Sequence, residues 1–436
     1  MSKLRSRLER RGSRKRERRA PPRGEQKAPR PDSSERPSPE LLDELRRRMD
    51  RISRRHAPGR PSRAAAPAPF SPDSELPGRD VLGSRGSLRV DVRRYPADHL
   101  CGEEPLAGYL EAGGSLTVLG RDPRIRDLDP RSARFFDTET TGLCGGTGTL
   151  PFLVGLGRFT GDGDFEVAQA LARDPSEEPA QLEWLAERLA GAGYLVTFNG
   201  RAFDVPLINT RFVINEQRNP AAGLPHLDLL HVSRRIFGRR LSDRSLQSIE
   251  RAVLGFEREG DIPGGEIPGV YAEFVRGGPA APIAAVMEHN ALDLLALAAL
   301  GGALDRMYGD PEAVRHAADH LGLATAALAA GLDERADAHL RRAGDAATGD
   351  DRKAALHLAA REAARRKERE RARDLWLELV ERDPWDAVAH LALAKHYEHR
   401  EHDWERAAHH ARRAVEAEGE EATEHRLARI ARKAGR

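Results

Sequence analysis

The chain has 436 residues, enough for two or three domains with cores of their own. Hydrophobic residues make up 39% and charged residues 32%, and 71 Lys and Arg against 69 Asp and Glu leave a net charge of only +2, so the molecule as a whole is neither polyanion nor polycation. Two cysteines in so long a chain exclude a disulfide framework and a thiolate zinc centre, and they fit a cytoplasmic protein.

The charge is unevenly placed. Residues 1–30 carry 13 Lys and Arg against 3 acidic residues and almost nothing apolar. They read as a solvated basic arm that either attracts a phosphate backbone or simply keeps the chain soluble. In "SPELLDELRRRMDRI", Ser38 is placed to cap a helix, Pro39 takes its first position, and Leu41, Leu45, Met49 and Ile52 share one face. The Pro, Ala, Ser and Arg mixture of 57–77 is a linker, which makes 1–79 arm, short helix and linker. No charged N-terminal stretch is followed by an apolar segment, and uncharged runs such as Leu294–Leu304 are short for a bilayer, so no membrane span is expected.

Residues 80–305 start with a strand at Ser87–Val92 and an apolar run at Leu116–Leu119. Strands then follow at Phe135–Thr138, Phe152–Phe159 and Phe165–Leu171, joined by the Gly-rich "CGGTGT" and by Gly161-Asp162-Gly163, which predicts an antiparallel meander. A helix at Pro179–Leu189, a strand at Tyr194–Asn199, a helix at Val205–Phe212, a short strand at His226–Leu227 and further helices complete the order βββαβαβα. That order predicts an α/β (α+β) domain, a ribonuclease-H-like mixed five-stranded sheet with flanking helices.

Residues 310–436 are helical in pattern, and "ERA" recurs at 334, 370 and 405, at spacings of 36 and 35 residues. The period fits tetratricopeptide-like helical repeats able to hold a protein partner, with a plain helical bundle as the simpler alternative. His396, His399, His402, His409 and His410 show no recurring ligand spacing and read as solvated surface.

"FFDTETTGL" sets Asp137 and Glu139 two apart on a strand, hence on one face, where their repulsion calls for a cation or for water. "VTFNGRAFDVPLI" puts Asp204 at a helix start, and "MEHNALDLLAL" puts His289 and Asp293 four apart on one helix face. A carboxylate-rich, thiolate-free set suits Mg²⁺ or Mn²⁺. Two such ions can clamp an in-line phosphoryl displacement, with neutral His289 as the proton acceptor. Plain structural roles exist for the same residues: a solvated strand end for Asp137 and Glu139, a helix cap for Asp204. Asp293 fits one less easily, because an unpaired charge in an apolar helix is costly. His226 and Asp228 in "HLD" are a candidate second ligand pair that reads mainly as structural, with Asp228 capping the next helix. "GGTGT" lacks the Gly-Lys-Ser/Thr ending of a nucleotide-binding loop. Arg201, Arg211, Arg234 and Arg235 are candidate phosphate contacts that are equally at home on a surface.

"FFDTETTGL", "TFNGRAFDVP" and "HNALDLLAL" resemble the three motifs of the DEDD, or DnaQ-like, 3′–5′ exonuclease superfamily. With "CGGTGTLPFLVGLGRF", "PHLDLLHVSRRIF", "LQSIERAVLGF" and "DIPGGEIPGVY", the chain is similar to the YprB-type ribonuclease-H-like family, whose members often carry tetratricopeptide-like tails. The resemblance implies that Asp137 and Glu139 are first-motif metal ligands, Asp204 the second and Asp293 the third. It also implies a two-metal nuclease acting on DNA or RNA. Thr140, Asn199 and Arg201, within or beside these motifs, are candidate substrate contacts. His289 departs from the pattern: it stands four residues before Asp293, the spacing of the tyrosine subclass, but carries the side chain of the histidine subclass. The rival reading is a nucleic-acid-binding scaffold that keeps the fold with little catalysis.

Overall fold

The computed structural model describes residues 76–112, 114–142 and 148–435. The basic arm, the helix capped by Ser38, nearly all of the linker and most of "CGGTGT" lie outside the described residues.

The strands are β1 (Arg79–Gly83), β2 (Gly86–Tyr95), β3 (Leu100–Cys101), β4 (Glu104–Pro105), β5 (Ala133–Thr140), β6 (Pro151–Phe159), β7 (Phe165–Leu171), β8 (Tyr194–Thr197) and β9 (His226–Asp228). β5, β6 and β7 form the antiparallel meander, while β8 joins β5 and β9 joins β8 in parallel. The main sheet has seven strands in the order β1-β2-β7-β6-β5-β8-β9, not five. The two additional strands are the hairpin β1–β2, which pairs through β2 with β7. Leu88 and Val90 of β2 are buried and extend the sheet's apolar face. β1 is exposed throughout and closes the edge with Arg79 and Asp80. The apolar run at Leu116–Leu119 lies in a short helix, Ser115–Gly120.

Strand alternation puts Phe136 on one face of the sheet and Phe135 on the other. Phe136, Leu156 and Ala168 pack with Trp184 and Leu185 of helix α1 (Glu178–Leu189) and with Ile208 and Phe212 of α2 (Asp204–Ile214). After α3 (Leu229–Ile236) and α4 (Ile267–Val275) comes α5 (Ala281–Gly309), which covers the opposite face, with Leu294, Leu295 and Ala298 against Phe135, Phe159 and Val167. By length and composition α5 could cross a membrane, but most of its apolar stretch is buried inside this fold.

The remaining chain is helical: α6 (Ala317–Ala329), α7 (Asp333–Ala346), α8 (Gly349–Arg365), α9 (Arg369–Arg382), α10 (Ala387–His396), α11 (Trp404–Arg413) and α12 (Glu420–Ala434). α6 packs on α7, α8 on α9 and α10 on α11. The three "ERA" triplets fall in the first turns of α7, α9 and α11, where Ala336, Ala372 and Ala407 are buried. A small residue there lets paired helices approach. The sheet domain and α6–α7 share one core, since Leu323, Ala327 and Ala336 cluster with Leu300 and Leu304 of α5. An ion pair between half-buried Arg240 and buried Asp319, at 2.9 Å, adds to that junction.

Candidate active site

β5 turns Asp137 and Glu139 to the face covered by α5. Asp137 lies opposite Gly155 of β6, and the register shifts between Glu139 and Thr140. Gly155 is where it is for a steric reason: a Cβ there would stand 2.1 Å from Oδ1 of Asn290. Asn290, fully buried on α5, donates from Nδ2 to Asp137 Oδ2 at 2.7 Å. Its Oδ1 accepts from Gln169 Nε2 at 2.8 Å, and that amide also donates to the Met287 carbonyl at 2.7 Å. Two buried amides therefore fix the orientation of the first carboxylate.

Asp204 is the first residue of α2 and is buried, and its Oδ1 accepts from the Thr138 hydroxyl of β5. The loop before it is pinned by Asp228, which accepts from the backbone N–H of Asn199 at 2.9 Å and of Arg201 at 3.0 Å. Asn199 takes φ +68°, a left-handed conformation that Asn tolerates well. Asp228 also caps α3 through the Leu230 N–H at 3.1 Å. His226 Nε2 meets the Thr197 hydroxyl at 2.8 Å, and burial pushes the imidazole pKa down to about 4. Both residues of "HLD" thus support the site without lining it.

α5 brings His289 and Asp293 to the same place, with Nε2 of the first 3.8 Å from Oδ2 of the second. His289 Nδ1 lies 2.8 and 2.9 Å from the two oxygens of Asp261. Behind them Arg258, 4% exposed, pairs with Glu250, with Asp293 and, at 3.1 Å, with Asp261. Asp261 is held below the usual carboxylate range, because His289 and Arg258 outweigh the cost of its burial.

The electrostatics show four carboxylates crowded together. Burial, then Asp293, Glu139 and Asp204, push Asp137 well above its ordinary value. Burial, then Asp293, Asp204 and Asp261, push Glu139 up to about 8 against the opposing pull of Arg258. Asp204 is raised to about 6, chiefly by burial. Ligand atoms of Glu139, His289 and Asp293 all lie within 4.8 Å of one another, a spacing at which one cation can touch all three. Oxygen donors with a single imidazole are the chemistry of a hard divalent ion.

Residues 134–304 match a family model described as the ribonuclease H superfamily. That match agrees with the ribonuclease-H-like fold of the mixed sheet and its flanking helices. The chain is also 35% identical over 217 residues to the "Uncharacterized protein YprB" of Bacillus subtilis (strain 168), an alignment covering 47% of this chain and 50% of that protein. The chain thus spans about half the length of the curated relative it matches. The ribonuclease-H-like domain contains every residue singled out in the carboxylate motifs.

Other candidates are placed differently. The Thr140 hydroxyl is tied to the Gly142 carbonyl at 2.9 Å. Arg211 is committed to Glu178, and Arg235 to the Leu119 carbonyl. Arg201 is exposed but spends one nitrogen on the His226 carbonyl. His410 is no solvated surface residue: it is buried, with its Nδ1 2.8 Å from that of His390. Asn290, Gln169, Arg258 and Asp261 were not singled out from the sequence. Only "DIPGG", present in a family-like motif, offered a hint of Asp261.

Proposed function

We propose that this protein is a divalent-metal-dependent nuclease that hydrolyses phosphodiester bonds in DNA or RNA, acting as a 3′–5′ exonuclease with two Mg²⁺ or Mn²⁺ ions. The observation that carries this reading is the convergence of Asp137, Glu139, Asp204 and Asp293 from three separate elements, at an electrostatic cost visible in the raised Asp137 and Glu139, where the neighbouring carboxylates add to burial. A fold keeps such a repulsive cluster most readily where cations offset it.

In this reading the four carboxylates hold the ions, and divalent cations supply Lewis acidity toward phosphate oxygens and an attacking water. Asn290 and Thr138 fix the angles of Asp137 and Asp204. Asp261 accepts the Nδ1 proton of His289, which leaves Nε2, 3.8 Å from Asp293, unprotonated and able to take a proton from water. Arg258 steadies Asp293 and Asp261 together. Asn199 and Arg201, exposed on the loop before Asp204, are the nearest candidates for substrate contact. The helical hairpins α6–α11 serve as a tetratricopeptide-like platform for a protein partner, and the low cysteine content suits a cytoplasmic setting.

The test is degradation of 5′-labelled single- and double-stranded DNA and RNA with Mg²⁺ or Mn²⁺. Stepwise shortening from the 3′ end, abolished in Asp137→Ala and Asp204→Ala, is the expected result. If no substrate is cut, or if the variants match wild type, the nuclease reading fails and the scaffold reading stands.

A further inference from the structure

Four arginines gather on the sheet face opposite Asp137 and Glu139. Arg134 of β5 precedes Asp137 by three residues, about 10 Å along a strand, but shares the face of Phe136, which packs against α1. In the adjoining strands Arg158 and Arg94 each stand in register with Glu166. Arg188, near the end of α1, completes the group with its guanidinium 4.7 Å above the Trp184 ring.

Their carboxylate supply is short. Glu166 accepts from Arg158 Nε at 2.9 Å, and lies 3.6 Å from Arg94 and 3.8 Å from Arg188. One buried carboxylate is thus shared by three guanidinium groups. The remaining acid beside the cavity is Glu187, and Asp162 acts on Arg94 from the β6–β7 turn. Arg134 has no carboxylate partner among the described residues. It donates to the backbone carbonyls of Arg188 at 3.2 Å and Ala133 at 2.9 Å. The Arg188 Nε is buried with no hydrogen-bond partner. Burial, with Arg158 adding repulsion, holds the Arg134 pKa below its ordinary value, and the same two causes outweigh Glu166 at Arg188.

The arginines border a cavity of about 190 Å³ lined by Arg134, Arg158, Arg188, Glu166 and the apolar Leu156 and Ala168. We propose that this cavity is a phosphate-binding site, in which Arg134, Arg158 and Arg188 hold a free phosphate or the phosphomonoester of a small molecule. Guanidinium N–H pairs fork onto two oxygens of a tetrahedral anion, and Arg is the side chain best shaped for this. The fixed partners already present favour the assignment: Trp184 and the backbone carbonyls hold two guanidinium groups in place before any ligand arrives. The site is separated from the carboxylate cluster by the sheet itself, and it does not depend on the nuclease reading.

The experiment is calorimetric titration of the full chain with inorganic phosphate and, separately, with 5′-AMP. Divalent cations are left out so that the carboxylate cluster cannot attract the anion, and NaCl keeps the ionic strength constant. Saturable binding of inorganic phosphate is expected, weakened at least tenfold in Arg158→Gln and in Arg188→Gln. Glu166→Gln removes the competing carboxylate and should tighten binding several-fold, an effect that misfolding cannot imitate. Tenfold tighter binding of 5′-AMP assigns a nucleotide phosphomonoester as the ligand, and equal binding assigns free phosphate. Absence of saturable binding to wild type, or equal binding by wild type and all three variants, overturns the site.

Discussion

His289 Nδ1 lies 2.8 Å from Oδ1 and 2.9 Å from Oδ2 of Asp261, a carboxylate 28 residues earlier in the chain. Such a partner fixes the tautomer and the ring plane, so Nε2 is left as the acceptor. Asp261→Ala should lower kcat by about 10- to 100-fold with little change in KM. Asp261→Asn, which still accepts through its amide oxygen, should recover part of the loss. Single-turnover rates on the preferred substrate check this, and an unchanged rate in Asp261→Ala would remove the residue from the mechanism.

The carboxylate cluster is a source of instability when no cation is bound. Glu139→Gln removes a carboxyl that burial and its neighbours make costly to ionise, and should raise the melting temperature of the metal-free protein at pH 8 by a few degrees. The same change should abolish or greatly reduce the upward shift that Mn²⁺ gives wild type. Thermal unfolding with chelator and with Mn²⁺ separates the two effects. A variant less stable than wild type under chelation would show that the Glu139 side chain stabilises the fold by more than its charge repels.

Gly155 is required by Asn290. The Cβ of Gly155→Ala would fall 2.1 Å from Asn290 Oδ1 and 2.9 Å from its Cγ, both on a fully buried side chain. Overpacking of this kind costs roughly 1–3 kcal/mol, and displacing Asn290 also frees Asp137. We expect a melting temperature several degrees lower together with weaker Mn²⁺ binding. Normal Mn²⁺ affinity in a folded Gly155→Ala protein would sever the link from Asn290 to the site.

Two buried histidine pairs make the helical region sensitive to acid. His320 and His339 meet through Nδ1 at 3.0 Å, and His390 and His410 do so at 2.8 Å. His339 Nε2 lies 3.3 Å from the Tyr308 carbonyl and His390 Nε2 2.9 Å from that of Pro384. Each can therefore donate from Nε2 and accept at Nδ1 from its partner imidazole. Burial, then the neighbouring imidazole, pushes His320 and His410 down to about 4. The unfolded chain binds these protons nearer pH 6.5, so the stabilisation is complete above that value and is lost as pH falls toward 4. Unfolding followed by helical circular dichroism from pH 7.5 to 4.5 should show this slope, flattened in His320→Leu and His410→Leu. Identical slopes in the variants would place the acid sensitivity elsewhere.

Period-2 alternation in "FFDTETTGL" fixes that Asp137 and Glu139 share a face, and the four-residue step in "HNALD" fixes that His289 and Asp293 do. Both hold in the structure because they follow from the geometry of a single strand and a single helix. The meander and the helical tail were legible for the same reason, since each rests on local periodicity and turn residues, and the mixed sheet followed from the order of the elements. Nothing local says what stands across from a face. Asn290 reaches Asp137 over 153 positions and Arg258 reaches Asp293 over 35. Glu166 meets Arg158 only because two strands run antiparallel. The burial of His410 likewise depends on how α10 lies on α11. The sequence by itself determined which charged groups share an element and a face. Tertiary packing decided which cations, amides and imidazoles complete them, because burial and pairing depend on neighbours that only the folded chain brings within hydrogen-bond reach.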